Sequence, residues 1–380
     1  MWLCLNMPTI KAVLTTLICL IILTGTVTAD AAPTPTVPRT LPRSPVKLHT
    51  PIQRHLIPVN NSVITYDTTG ARIDAHDGKI VQDPTTGVSY LFGTAYGCGY
   101  AFTSPTNTPW CGVKVYRSTN LATWTPAGSF NGVYAFDPTT PEYQNICDSS
   151  HYGCFEPHPA RRPDGTWVMW INSVRYTAGY IVLTAPSPGG PYTRMPDPIL
   201  ALGPAQAGLV GYGAEDITVD PTDPSLAYLT YTMLGAGHDH QIAVERLDPT
   251  WTTGTGDAAT VPGEHVEAPA MFKHGALWYV TYSDPACPYC NNAGTSYSTA
   301  TTPLGTWVKR GTPWPTSCAG QPTGVNIVNG RYIYQSDRWA QKPGGGFQPN
   351  QYTANNYLAP LTFDIYGNIP AQPCMTTWTL

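Results

Sequence analysis

Residues Glu267 to Pro285 read EAPAMFKHGALWYVTYSDP. A carboxylate stands directly before a run whose other members look like ordinary β-core. An acid at a strand start is either a solvated turn residue or a proton donor aimed into a pocket. One copy cannot decide between these, but the chain repeats the arrangement.

The unit recurs at intervals of roughly 50–80 residues, as stacked or radial repeats do. A carboxylate or polar residue leads a short apolar strand, a turn with Asp, Gly or Pro follows, and an aromatic-rich strand comes next. The first copy is AHDGKIVQDPTTGVSYLFGTAY, from Ala75. The others begin at CFEPHPARRPDGTWVMWINS, AEDITVDPTDPSLAYLTYTM, the Glu267 stretch, and QPTGVNIVNGRYIYQSDRW. Nothing here carries the 3.6-residue period of a long amphipathic helix. Five repeats of about four short strands describe an all-β fold, a five-bladed β-propeller. In that architecture the innermost strand of each blade starts near the axis. The leaders Asp77, Glu156, Asp216, Glu267 and Gln321 therefore converge on one funnel.

Composition bounds the remainder. The chain has 380 residues, 42% hydrophobic and 12% charged, with a net charge of -4. That balance excludes the basic stripe of a nucleic-acid binder. The N-terminus has Lys11, an apolar run from Ala12 to Leu23, then small residues. It reads as a secretory signal peptide over 1–31, cleaved after Ala29 or Ala31. The run is short for a membrane anchor, and no later segment is long enough to span a bilayer. Residues 32–60 form a Pro/Thr-rich linker or tail, a Pro-rich N-terminal extension to the propeller at 61–380. Asn60-Asn61-Ser62 is an N-glycosylation sequon.

Outside the signal there are eight cysteines. An even count in a secreted chain predicts disulfides, and proximity in sequence favours Cys98–Cys111 and Cys147–Cys154. Cys287-Pro-Tyr-Cys290 has the spacing of a redox motif, but without a βαβ pattern around it one structural disulfide, or two separate ones, is expected. No second such pair or paired His supports zinc.

Carboxylates sharing one pocket suit glycoside hydrolysis. One is protonated and donates to the leaving oxygen, and another is ionised and activates water. A third charge nearby raises the donor's pKa. Each acid also has a plain reading. Asp77 precedes Gly78 and fits a turn. Asp216 follows Glu215, either of which could face the funnel. Glu267 has Glu264 nearby, but only Glu267 abuts the strand.

The blocks HDGKIV, AEDITVD and EAPAMFKHGALWYVTYSD resemble three blocks of glycoside hydrolase family 43, over about residues 70–370. The family consists of five-bladed propellers, usually inverting, acting on arabinans, xylans and galactans. The resemblance implies Asp77 as general base, Asp216 as pKa tuner and Glu267 as general acid. DAHDGK (74–79) and QSDRW (335–339) are similar to the exo-β-1,3-galactanase branch. That branch lacks the Asp base and uses a fifth-blade Gln for the attacking water, a place held here by Gln321. This chain keeps Asp77 where the branch has Gly, and reads FEP where the branch has ERP, so Glu156 is shifted by one. A carboxylate is the better proton acceptor, so Asp77 is assigned as base, with Gln321 positioning water or sugar.

Further substrate-binding candidates are His76, Glu156, Asp337, Arg338 and Trp339. Each has a structural alternative: a core His, a salt-bridge partner for Arg161 or Arg162, or blade packing. Trp110, Tyr96 and Tyr212 are candidate rim aromatics, although with 42 aromatics most must be core. No cofactor is expected, and a structural calcium ion on the axis is left open.

The expected protein is a secreted, monomeric, inverting exo-glycosidase. Its partner is a polysaccharide or oligosaccharide of the galactan, arabinan or xylan type, with no nucleic acid and no membrane. The rivals are a lectin-like propeller without turnover and an interaction propeller whose acids anchor turns or bind calcium. A retaining fructosidase would need an NDPN-like block near the domain start, and none is present.

Overall fold

The computed structural model describes residues 57–380 apart from 105, 203–208, 236–237 and 288. The expected signal peptide and nearly all of the linker lie outside the described residues.

Strand β1 (Val59–Asn60) precedes five sheets, each ordered as the chain runs. Blade one holds β2 (Ile80–Gln82), β3 (Ser89–Thr94), β4 (Val113–Ser118) and β5 (Thr125–Pro126). A short helix α1 (Pro141–Cys147), with proline in its first turn, leads to blade two. That blade is β6 (Phe155–Arg161), β7 (Trp167–Asn172), β8 (Tyr180–Ala185) and β9 (Thr193–Arg194). Blade three is β10 (Leu209–Val219), β11 (Ala227–Gly235), β12 (His238–Leu247) and β13 (Gly254–Val261). Blade four is β14 (Glu267–His274), β15 (Leu277–Asp284), β16 (Gly294–Ala300) and β17 (Val308–Trp314). Blade five has three strands, β18 (Gln321–Val328), β19 (Arg331–Arg338) and β20 (Asn355–Pro360). All pairings within the blades are antiparallel. The five-bladed propeller read from the repeats is the fold of the protein.

The strand texture follows from this packing. Each blade is covered on both faces by its neighbours, so its strands read as apolar runs although side chains alternate. In β7, Trp167, Met169 and Ile171 join the core shared with blade one, while Val168 and Trp170 join the core shared with blade three. In β15, Trp278, Val280 and Tyr282 face blade three, and Tyr279 faces blade five. The fifth core, with Ile80, Leu91, Ile333 and Leu358, closes blade five onto blade one. Each buried aromatic contributes about 2–3 kcal/mol of transfer free energy, and a Trp170→Ala change at such a seam costs about 3–5 kcal/mol.

The two ends of the described chain close the ring. β1 pairs with β21 (Thr377–Trp378). The Asn61 amide donates to the carbonyls of Leu358 (2.8 Å) and Met375 (2.9 Å). Four disulfides are formed: Cys98–Cys111 and Cys147–Cys154, as proximity suggested, together with Cys287–Cys290 and Cys318–Cys374. Among the described residues no helix is long and apolar enough to cross a membrane.

Candidate active site

The inner strands do not start regularly. Register shifts interrupt β6 between Phe155 and His158, β10 between Tyr212 and Glu215, β14 between Glu267 and Ala270, and β18 between Pro322 and Gly324. Left-handed backbone occurs in the same zone, at Asp77 (φ 48°), Glu156 (φ 54°) and Ala268 (φ 52°). Bulges of this kind re-aim side chains, and backbone strain concentrates at functional sites. Asp77 is held by close approach as well. A Cβ on Gly78 would fall 1.8 Å from the Phe92 carbonyl oxygen, and one on Gly93 2.3 Å from the Ala75 carbonyl carbon. Only glycine at both positions lets the Asp77 turn lie flat on β3.

The result is a funnel of about 260 Å³ that gathers Asp77, Glu156, Glu267, Gln321, Trp339 and His240, with Phe102, Phe155 and Tyr289 among its apolar lining. This lies just below the usual range of ligand pockets, about 300–1,000 Å³, which favours a small ligand. Cavities of similar size lie at the seam under β1 and at the opposite mouth of the axis, and neither is lined by a carboxylate.

Glu267 is held on one side. Its Oε1 accepts from the Cys287 N–H (2.7 Å) and from Gln321 Nε2 (2.8 Å). Gln321 Oε1 in turn accepts from the Trp339 indole (2.8 Å), which fixes the amide orientation. With Oε1 taken by two donors, the acid proton belongs on Oε2, which lies 3.9 Å from His240 Nε2. Burial pushes the Glu267 carboxyl up, against the lowering pull of the Cys287 N–H, His240 and Gln321.

Asp77 and Asp337 form a buried pair, in which the Asp77 N–H donates to Asp337 Oδ2. Burial raises Asp337 to about 7. Burial, and then the Asp337 charge, hold Asp77 well above the carboxylate range. Glu156 Oε2 accepts the Glu215 N–H at 3.0 Å. Its carboxyl is raised by burial and then by Asp77 and Glu267. Glu215 is fully buried, both of its carboxyl oxygens lack hydrogen-bond partners, and its pKa is raised by burial and by Glu156.

Asp216 takes a different place. Its Oδ1 accepts from Lys79 Nζ at 2.5 Å and lies 3.3 Å from His158 Nδ1, and its Oδ2 accepts the Met271 N–H at 2.9 Å. Lys79 lines the opposite mouth of the axis, so this ion pair lies beneath the funnel rather than on its wall. Burial opposes the Asp216 charge, but Lys79 and His158 overcome it and hold the carboxyl at about 2.

The other sequence candidates divide. Trp339 and Gln321 line the funnel. His76 is buried, neutral with a pKa lowered by burial to about 4, and sits edge-on to Tyr96 and against Trp339, bracing the wall from behind. Asp337 lies behind Asp77. Arg338 turns outward, donating to the carbonyls of Cys318 (2.9 Å) and Asn61 (2.5 Å). Trp110, Tyr96 and Tyr212 are not at the rim. All three are buried core side chains, because blade packing covers them. Tyr289, which sequence reasoning missed, enters the funnel from the Cys287–Cys290 loop and stacks edge-on against Trp339 at 4.8 Å. The signal was available: an aromatic inside a tight cysteine pair just after the Glu267 hairpin. His240 and Asn172, which also line the funnel, had no such signal. Among the described residues no group of three His, Cys, Asp or Glu side chains could hold a metal ion.

No protein-family profile matches this chain, and no curated protein matches it by sequence. Solved structures do match in shape. An exo-β-1,3-galactanase from Phanerochaete chrysosporium, solved with β-1,3-galactotriose, is 20% identical with a TM-score of 0.67, over 85% of this chain and 68% of that one. An exo-β-1,3-galactanase from Clostridium thermocellum is 22% identical with a TM-score of 0.65, over 82% and 64%. A family-43 β-1,3-galactosidase with galactodeoxynojirimycin is 21% identical with a TM-score of 0.64, over 82% and 97%. The fold is thus the five-bladed propeller of the family-43 glycoside hydrolases.

Proposed function

We propose that this chain is a secreted glycoside hydrolase that removes terminal sugars with inversion, the preferred unit being galacto- or arabino-configured. The observation that carries this reading is Glu267. Its carboxyl is raised by burial, one oxygen is occupied by two donors, and the other is left to carry a proton in the funnel. A general acid needs that state at working pH. The shape match to galactan-active propellers supports the substrate class, and the four disulfides support secretion.

In this mechanism Glu267 protonates the leaving oxygen while water attacks from the opposite face of the sugar. Asp77 takes the proton from water, with Gln321 and Glu156 fixing water and sugar hydroxyls. Asp77 can act only in its ionised form, which burial and the Asp337 charge oppose, so activity requires the pair to give up its protons, a property of the two carboxyls together. Asp216 acts at a distance: its charge raises Glu156 and Glu215.

One observation favours a lectin-like reading. Burial and the Asp337 charge favour the protonated form of Asp77, which cannot take a proton from water. The two readings separate on product release from β-1,3-galactan, arabinan, arabinoxylan and xylan, run with wild type and Glu267→Gln. Monosaccharide released by wild type, first seen as the inverted anomer by NMR and lost in the variant, is expected. Glycan binding by both proteins without release from any substrate would establish the lectin.

A further inference from the structure

A second cavity lies beside the funnel, and Tyr152 lines both. Its walls are two loops, each closed by its own disulfide. Cys98–Cys111 spans the loop bearing Thr103 and Asn107, and Cys147–Cys154 spans the loop bearing Ser149, Ser150 and Tyr152. Both walls are preorganised, which lowers the ordering cost of binding. The turn after β7 contributes to both spaces: Val174 lines the funnel and Arg175 the groove.

Arg175 is exposed, and its guanidinium lies over the Tyr152 ring at 3.7 Å from the centroid. Among the described residues it pairs with no carboxylate. The nearby acid is committed elsewhere. Asp148 accepts from Asn107 (2.8 Å) and from the Ser150 hydroxyl (2.6 Å), and pairs with His151 (2.7 Å). A guanidinium stacked by its face presents its N–H edge, and that edge matches an oxyanion bidentately. Asn107, Ser149 and Ser150 are held by hydrogen bonds among themselves and to Asp148, which fixes the polar wall beside Arg175.

Resting on the glycosidase reading, we infer that this groove is a leaving-side subsite for an anionic sugar, whose carboxylate or sulfate is bound by Arg175. The enzyme would then favour acidic, decorated chains over neutral ones.

The test uses three galactosyl-β-1,3-linked disaccharides that differ only at carbon six of the leaving sugar: hydroxymethyl, carboxylate or sulfate ester. For wild type, kcat/KM should favour an anionic leaving sugar by roughly five-fold, the scale of one exposed charge-assisted contact. Salt at about 0.5 M should screen the preference. Arg175→Gln should bring the anionic-to-neutral ratio near one, and whichever anion wins in wild type identifies the ligand. Equal rates in wild type, or a ratio unmoved by Arg175→Gln, would overturn the subsite while leaving the glycosidase standing. Should wild type cleave none of the three, the glycosidase reading is judged separately by release from arabinan, arabinoxylan and xylan, and calorimetry on Glu267→Gln decides the groove. Tighter binding of an anionic disaccharide upholds it, and equal binding or none overturns it.

Discussion

Gln321 donates to Glu267 through one end of its amide and accepts from Trp339 through the other, both at 2.8 Å. The indole therefore sets which end of the Gln321 amide faces the acid, although it does not touch the acid. Trp339→Phe keeps the ring but frees the amide to flip. We expect kcat to fall about ten-fold, the scale of one to two kcal/mol for a misplaced hydrogen bond, with little change in melting temperature. Unchanged kcat in a folded Trp339→Phe protein would show that Gln321 is held by other means.

Glu267→Gln removes the proposed proton donor and should lower kcat on a natural glycosidic bond by about 10²–10⁴-fold. An aryl glycoside with an acidic phenol as leaving group needs little protonation, so the defect should shrink there. Equal loss on both substrates would argue that Glu267 binds sugar rather than donating a proton.

The Asp337 carboxyl titrates near 7 in the folded protein against an ordinary 3.8. Its folded value is raised, so its contribution to stability is fully present below about 3.8 and is lost as pH climbs to about 7. The span is on the order of 4 kcal/mol. Asp337→Asn can still accept the Asp77 N–H. The variant should show a flatter fall in melting temperature between about pH 4 and pH 7 than wild type, and identical slopes would refute the assignment. Asp216 works in the opposite direction. Its folded value is depressed, so its contribution is present above 3.8 and is lost as pH falls toward about 2.

Lys79 is the cation that Asp216 faces beneath the funnel. Lys79→Met leaves a buried carboxylate without its ammonium and should cost about 3–5 kcal/mol in denaturant unfolding. Adding Asp216→Asn should recover most of that loss. A double variant no more stable than the single would mean that His158 and the Met271 N–H are sufficient partners for Asp216.

The Cys287–Cys290 loop supplies both a hydrogen bond to Glu267 and the Tyr289 ring. Replacing both cysteines by serine should lower kcat about ten-fold through the looser N–H. The effect on unfolding should be small, because the loop closed is very short. Full activity in the double variant would show that the N–H is positioned by the backbone alone, for instance by the Ala286 bond to the His265 carbonyl.

The sequence by itself determined the number of blades and the approximate place of the inner strands, although β10 begins at Leu209, well before Asp216. These are local properties: turn residues, aromatic strands and a repeated leader, all written in consecutive residues. It also marked Glu267, because only that acid abuts its strand. The direction in which each leader points was decided by the tertiary structure. Asp216 and Glu267 stand on the inner strands of neighbouring blades, yet one pairs with Lys79 beneath the funnel and the other lines its wall. Asp337, Arg338 and Trp339 are consecutive, yet one lies behind Asp77, one turns outward and one lines the funnel. Side chains alternate with period two along a strand, so a one-residue bulge changes the face a residue presents. Such bulges, and the left-handed turns at Asp77 and Glu156, depend on contacts between blades far apart in the chain, and only the closed ring brings those contacts together.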